Sequence, residues 1–456
     1  MNPTAIRDYA VRVREFSPNA RLFLAAAALG GLSSGVSGVL LNLYIVSLGY
    51  DVAFLGRLLS FGPIGAILGA LLSVPVVYFW STRRAMLLGI ALAGAGAVAL
   101  LTSADPSALR TGIALTTMGS ILFYTAVPPF LTRHSTPRER THLYGVVVAA
   151  YVVSAALGAL AAGFLYRLMT LFAADPSEAY RLALFVGALL TATGIPLIAM
   201  VREDRAPRAG QDDPIVTGGG PSATAASEAG GSSPSPAGFI PRTVGRMRAL
   251  RQDLLNPTFV RLLSQFVFAD ILIRAGGNLV LPFMNVHFVD TLGASEEVYG
   301  TLRFWERALV VGATLLVAPL ALKLGPVATI ALTQVLSIPL LLAVGFAPTL
   351  ALASLAYLLR GPLMEMTVPT RDAFLMESVP ERARTSANAI MQLAGYAVAF
   401  VALRLSGRLI EAWGFGLVCS LTGVLYLASA ALYWGFFRNR PEAAPGRPLD
   451  LAAITG

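Results

Sequence analysis

The sequence predicts an all-α membrane protein whose twelve transmembrane helices form two six-helix bundles, and three observations predict it. Apolar runs long enough to cross a bilayer recur along the whole chain, arginine concentrates in alternate breaks between them, and the pattern repeats half a chain later. Composition agrees. Of 456 residues, 56% are hydrophobic and only 13% are charged, about half the charge of an ordinary soluble chain.

A bilayer-spanning helix needs about twenty apolar residues. Twelve runs qualify: 22–48, 52–79, 85–102, 110–131, 142–168, 182–201, 260–289, 297–322, 326–346, 349–370, 385–410 and 415–437. The first is too long for a signal-peptide core and reads as a retained helix. A single cysteine, Cys419, excludes an internal disulfide and any cysteine-based metal site. The net charge of +9 would suit a nucleic acid, but the placement of the 34 basic residues argues against one. Six flank the outer loops (Arg57, Arg110, Arg167, Arg181, Arg404 and Arg408), four lie within spans, and the remaining 24 fall in or beside the other loops and the termini. This asymmetry is the positive-inside rule. It predicts a multi-pass protein of the cell membrane with both termini cytoplasmic and no nucleic-acid partner.

One long hydrophilic break, residues 202–256, separates spans six and seven. Its centre, "GGGPSATAASEAGGSSPSPAG", has too few apolar groups to fold and predicts a flexible tether. In the following "PRTVGRMRALRQDLLN", Val244, Met247, Leu250 and Leu254 share a helical face among Arg242, Arg246, Arg248 and Arg251. That pattern predicts a helix lying on anionic lipid. The expected units are therefore a first half (1–201), a linker (202–256) and a second half with a short tail (257–456).

Subtraction exposes the repeat. "STPRERT" begins at Ser135 and "SVPERART" at Ser378, 243 positions later. Asn42 of "LNLYIVSLGYDVAFLG" and Asn285 of "MNVHFVDTLGASEEVYG" are also 243 apart, and each stretch ends in glycines seven apart (Gly49 and Gly56, Gly293 and Gly300). Pro75 and Pro319 are 244 apart. Two tandem six-helix halves follow, with a site expected near the midplane where they meet.

This plan resembles the major facilitator superfamily of secondary transporters over nearly the whole chain. The family's loop between helices two and three carries a glycine, an aspartate and basic residues. Arg83 and Arg84 match its basic positions, but Phe79 stands where the acid belongs; the second copy keeps Lys323 and Gly325 and has Leu322 in the acidic place. In "SAALGALAAG" Gly158 and Gly163 match an antiporter motif in which Ala159 and Ala162 replace a proline and a glycine. The resemblance implies alternating access, with proton-coupled export of small amphipathic compounds expected. The alternative within the class is uptake of a polar anionic metabolite, and outside it a non-transporting membrane scaffold or sensor.

Catalytic patterns are missing. "GLSSG" at 31–35 fits a nucleophile elbow, but it lies inside a span, where small residues serve packing. His134 and His142 read as solvated loop residues, and His287 stands alone near the end of span seven. With no P-loop, dinucleotide fingerprint or zinc spacing, no enzyme, cofactor or metal is expected.

Charges inside spans are costly and normally face a cavity or a partner. They fall only in the second half: Asp270 and Arg274; Arg303, Glu306 and Arg307; Arg360 and Glu365. The first half offers polar candidates, Asn42, Tyr124 and Tyr151, with Asn285 as the repeat partner of Asn42. Asp270 has Arg274 four residues on, and Glu306 has arginines at 303 and 307, whereas Glu365 has no base within a helical turn and lies between Met364 and Met366. An unpaired carboxyl in apolar surroundings suits a proton carrier, so Glu365 is the expected coupling residue. Prolines 128, 129, 362 and 369 predict bends that serve gating. A cytoplasmic gate is expected from Arg83, Arg84, Glu139, Arg140, Asp372, Glu381 and Arg382. The expected partners are a small-molecule solute, protons and lipid, around a monomer.

The tether yields the first test. Deleting residues 212–232 removes no packed core, so membrane insertion and transport should match the intact chain in a liposome flux assay.

Overall fold

The computed structural model describes residues 16–135, 137–201 and 256–446. The tether, the basic amphipathic stretch and the ends of the chain lie outside them. The described residues contain twelve spans and no strand. In the first half they are α1 (Pro18–Ser47), α2 (Val52–Leu59 continued by Phe61–Phe79), α3 (Thr82–Thr102), α4 (Pro106–Arg133), α5 (Pro137–Met169) and α6 (Pro176–Ala192 continued by Gly194–Ala199). In the second half they are α7 (Pro257–Val280 with irregular turns to Thr291), α8 (Glu296–Leu324), α9 (Pro326–Phe346) and α10 (Leu350–Glu365 and Val368–Ser378). One continuous stretch, Arg384–Phe437, holds α11 and α12, divided where Gly414 takes φ +78°. By length and apolarity ten helices qualify as spans. The difference from twelve lies in that merged pair and in α10, whose two pieces are each too short alone.

Side-chain caps start the helices where the sequence changes character. Ser17, Asp51, Ser81, Asp105, Asp175, Asn256, Ser295 and Thr349 each accept a hydrogen bond from a first-turn N–H, satisfying donors that lipid cannot. Gly49 and Gly293, repeat partners, both adopt positive φ (+87° and +68°) in the turns before the caps of α2 and α8. Only glycine takes that conformation without strain.

The recurring arginine–glutamate turns have a structural answer. Arg140 donates to the Thr132 carbonyl at the end of α4 (3.4 Å), and Arg384 donates to the Met376 carbonyl at the end of α10 (2.9 Å). Donors and acceptors are both 244 positions apart. Each turn thus ties an arginine of the incoming helix to a terminal carbonyl of the outgoing one, which otherwise lacks a partner.

Among the described residues the halves join at one end only. At the α1–α2 end a single apolar core takes Val36, Leu43 and Phe54 from the first half and Val280, Phe288 and Phe415 from the second. At the other end, where the described segments begin and stop, the cores are separate: Phe23, Phe130 and Met86 in one half, Phe266, Phe374 and Phe437 in the other. The joint is made of glycine crossings. A Cβ on Gly163 of α5 would overlap the backbone of Glu297 on α8, and one on Gly300 of α8 would overlap the Ala159 carbonyl of α5. Across the other seam, Gly56 of α2 meets the Leu403 carbonyl and Gly407 of α11, and Gly407 meets Val52. Gly163 and Gly407 are again 244 positions apart.

Polar ties finish the seal. Asn42 donates to the Pro282 carbonyl and to Asn285 Oδ1 (3.2 Å), while Asn285 Nδ2 donates to the Val39 carbonyl (2.9 Å). Pro282 interrupts the regular ladder of α7, and Asn42 supplies a donor to its carbonyl from the other half. Ala53 N–H donates to Glu411 (2.7 Å), Tyr180 donates to Glu296, and Arg167 lies 3.5 Å from Glu297.

A bulky residue at a crossing should therefore force the seam apart. Gly407→Leu should raise, by about tenfold, the labelling of a cysteine at Gly38 from the α1–α2 side, because overpacking costs about 1–3 kcal/mol and shifts the balance of states.

Candidate functional site

Between the halves lies a cavity of about 1620 Å³, which ends at Asn42, Pro282 and Asn285 and runs out between the separated cores at the other end. Its first-half wall is mostly apolar and aromatic. The rings of Tyr124 and Tyr151 meet edge-on at 5.9 Å, and Phe123 meets Tyr124 edge-on at 5.7 Å. Tyr151 donates to Ser34 Oγ (3.1 Å). Close helix approach builds this wall. Gly31 and Gly35 of α1 lie against the α5 backbone near Tyr151 and Ala155, and Gly158 lies against Leu32. The "GLSSG" motif and Gly158 are therefore helix contacts.

The second-half wall is ionic, in two clusters. In the first, Asp270 accepts from Arg274 Nε, and Arg371 Nη1 stands 3.4 Å from its other oxygen. The Asp270 side chain is only 3% exposed. In the second cluster Glu306, equally enclosed, lies 3.3 Å from Arg303 and 3.7 Å from Arg307. A Cβ on Gly361 would come within 2.6 Å of Glu306 Oε1, so a glycine on α10 is what lets that carboxylate in. Arg307 reaches onward to Glu365 on α10, 2.6 Å away. Arg303 also donates to the Tyr357 hydroxyl (2.8 Å). Arg360 donates to the Tyr426 hydroxyl (3.0 Å), and its guanidinium lies 5.8 Å from that ring's centre.

Asn42, Tyr124, Tyr151, Arg274, Asn285, Glu306, Arg307, Arg360 and Glu365 all line the cavity, and Asp270 stands behind Arg274. One expectation fails: Glu365 is not unpaired. Its partner, Arg307, comes from another helix and is shared with Glu306. Sequence reasoning also missed Arg371. The apolar run of α10 stops at residue 370, just past Pro369, whereas the helix breaks at Met366–Thr367 and resumes to Ser378. That carries Arg371 and Asp372 into a helix and away from the turn where Asp372 had been expected. Tyr357 and Tyr426 carried no signal beyond being aromatic in apolar runs.

The expected gate residues do not form one cluster in this open state. Arg83 donates to the Ala199 carbonyl at the end of α6, and Arg140 to Thr132, each within its own half. Arg84, Glu381 and Arg382 are exposed, and Glu139 and Asp372 are half-buried. His134, expected to be solvated, bonds Asn19 (3.1 Å), and its carbonyl accepts from Ser17 (3.0 Å). His287 is buried, stacked on Phe415 at 4.0 Å, with Nε2 3.3 Å from the Val344 carbonyl.

The Asp270 cluster predicts a folding defect. Asp270→Asn leaves Arg274 and Arg371 facing each other without their shared carboxylate. Removing one partner of an enclosed pair costs on the order of 3 kcal/mol, so the purified variant should melt several degrees below the parent.

Comparison with known proteins places this architecture. No curated protein sequence matches the chain. Among solved structures, the nucleoside transporter NupG superposes with a TM-score of 0.68 at 14% identity, covering 92% of this chain and 100% of its own. A D-xylose-proton symporter gives 0.66 at 15% identity, covering 95% and 99%. A bacterial homologue of the human lysosomal transporter Spinster, inward-facing and unoccupied, gives 0.65 at 16%, covering 92% and 96%. At these identities the likeness is one of fold. The sequence model of the Major Facilitator Superfamily matches residues 22–273 and again 266–453, one match for each six-helix half. The chain belongs to the Major Facilitator Superfamily, and it is a membrane transport protein, not an enzyme.

Proposed function

We propose that this protein is a proton-coupled secondary transporter that moves a small amphipathic solute by alternating access, with Glu365 as the coupling carboxylate. The observation that carries the reading is the bridge of Arg307 between Glu306 and Glu365 at the cavity wall. Glu365 is the open member of that bridge, its side chain 38% exposed against 3% for Glu306, so cavity water reaches it first. A proton on Glu365 removes the charge that holds Arg307 and leaves the arginine to Glu306. It thereby loosens a tie between α8 and α10, one residue before the break at Met366–Thr367. Proton binding is linked to helix movement at a place where the helix is already divided.

The arginine asymmetry supports cytoplasmic termini, which makes the described state inward-open. Arg84, Glu139, Glu381 and Arg382 then remain as groups that can pair across the halves when that end closes, in a monomer surrounded by lipid, while Asp372 stays beside Arg371. Gly158 and Gly163, which pointed to export, are both employed in helix contacts. The arginine-rich second half supports the other direction. Protonating Glu365 makes this wall more positive and favours an anion, and ligands that favour each other travel together. Uptake of an amphipathic anion with a proton is the reading these charges support best.

Reconstituted liposomes test it. With the outside acidified, the parent should accumulate a member of a panel of amphipathic carboxylates, and Glu365→Gln should bind that solute yet lose the pH-driven accumulation. A Glu365→Gln protein with undiminished response to the pH step would assign coupling to another group.

A further inference from the structure

We infer that Arg360 is the recognition residue for the solute and that the solute carries a single negative charge. The inference rests on the transport reading above and adds the chemical class of what is carried. Charges on the second-half wall pair off with one exception. Arg274 and Arg371 share Asp270, and Asp372 adjoins Arg371 in the same helix. Arg303 and Arg307 face Glu306 and Glu365. Counting Asp372, which makes no ion pair within 4.0 Å among the described residues but lies next to Arg371, four cations and four carboxylates balance.

Arg360 is left over. Among the described residues no carboxylate oxygen lies within 4.0 Å of its guanidinium. It is 3% exposed, lines the cavity, and spends Nη2 on a neutral hydroxyl, while its Nε is buried with no hydrogen-bond partner. An enclosed arginine within a membrane bundle is expensive without a counter-charge. A fixed, desolvated guanidinium without a contact ion pair at a cavity wall is therefore a docking point for an anionic group, which its donors can grip with charge-assisted hydrogen bonds.

The fixing is built in. Tyr426 holds Arg360 through its hydroxyl and ring face, and Tyr426 is itself seated on α7, where a Cβ on Gly276 would come within 2.8 Å of its Cε1. Opposite, the wall of Phe123, Tyr124 and Tyr151 accepts an apolar, planar body. One surplus positive charge facing an aromatic wall specifies an aromatic or similarly flat monocarboxylate.

The test uses the purified full-length protein with naphthoate, its neutral amide naphthamide, and naphthylmethylamine, read by thermal shift and equilibrium binding. Naphthoate should bind about tenfold or more tighter than naphthamide, the value of one charge-assisted contact. Arg360→Gln should erase that preference and leave naphthamide binding unchanged, and Arg360→Lys should restore part of it. Tyr426→Phe, which keeps the charge but frees the arginine, should weaken naphthoate alone; it carries the test should Arg360→Gln fail to fold. Unchanged naphthoate binding in Arg360→Gln, or a parent that prefers the amine, overturns the inference. So does stabilisation by chloride or phosphate equal to that by naphthoate, which marks an inorganic anion site. Naphthoate binding that depends on Arg360, without flux in liposomes, supports the anion site and removes the transport reading. Flux of naphthylmethylamine with no naphthoate binding does the reverse.

Discussion

A charge enclosed in a lipid-embedded bundle must find an opposite charge or a polar partner inside the protein, because hydrocarbon offers it nothing. The second half is organised around that constraint. Asp270 draws Arg274 of α7 and Arg371 of α10 together, and Glu306 draws Arg303 and Arg307 against Gly361. Helices α7, α8 and α10 are thereby tied by carboxylates as well as by apolar contacts such as Phe266–Phe374. The first half has no such network and uses the opposite device, glycine stripes that bring α1 and α5 into backbone contact. The cavity inherits both chemistries, one wall ionic and one aromatic.

The fold was legible because its signals are one-dimensional. Span length, arginine placement and a constant offset can all be read along a chain, and the offset reappears as physical pairs: Asn42 touching Asn285, Arg140 and Arg384 making the same closure, Gly163 and Gly407 lying at equivalent crossings. The lining of the cavity was legible for a related reason, since ionisable residues in hydrocarbon have few other places to go. What stayed hidden was pairing between helices. A search for partners three or four residues away finds Arg274 for Asp270 but cannot find Arg307 for Glu365, 58 positions earlier, or Tyr426 for Arg360, 66 positions later. Arg371 was hidden by punctuation, because a proline-rich stretch reads as a helix end when it is a break in a helix that continues.

The break in α10 joins the two clusters into one device. Glu365 closes its first piece and Arg371 lies in its second, so the Glu306–Arg307–Glu365 bridge holds the segment before the break and Asp270 holds the segment after it. Pro362 and Pro369 flank the junction and keep it from annealing into one regular helix. A change of charge on one side can then tilt its own segment without unseating the other.

The glycine crossings at the sealed end carry one further consequence. They close the barrier by laying helix backbone on helix backbone, and the carbonyls brought together at Ala159 and Leu403 lie inside helices whose own ladders already use them. At the crossings themselves, parting such surfaces strands few polar groups and unlocks few interdigitated side chains. A seam of this kind is a low-friction door: it can open and shut many times with little to rebuild, and the Asn42–Asn285 clasp, the Ala53–Glu411 contact and the exposed Arg167–Glu297 pair act as its latch rather than its hinge.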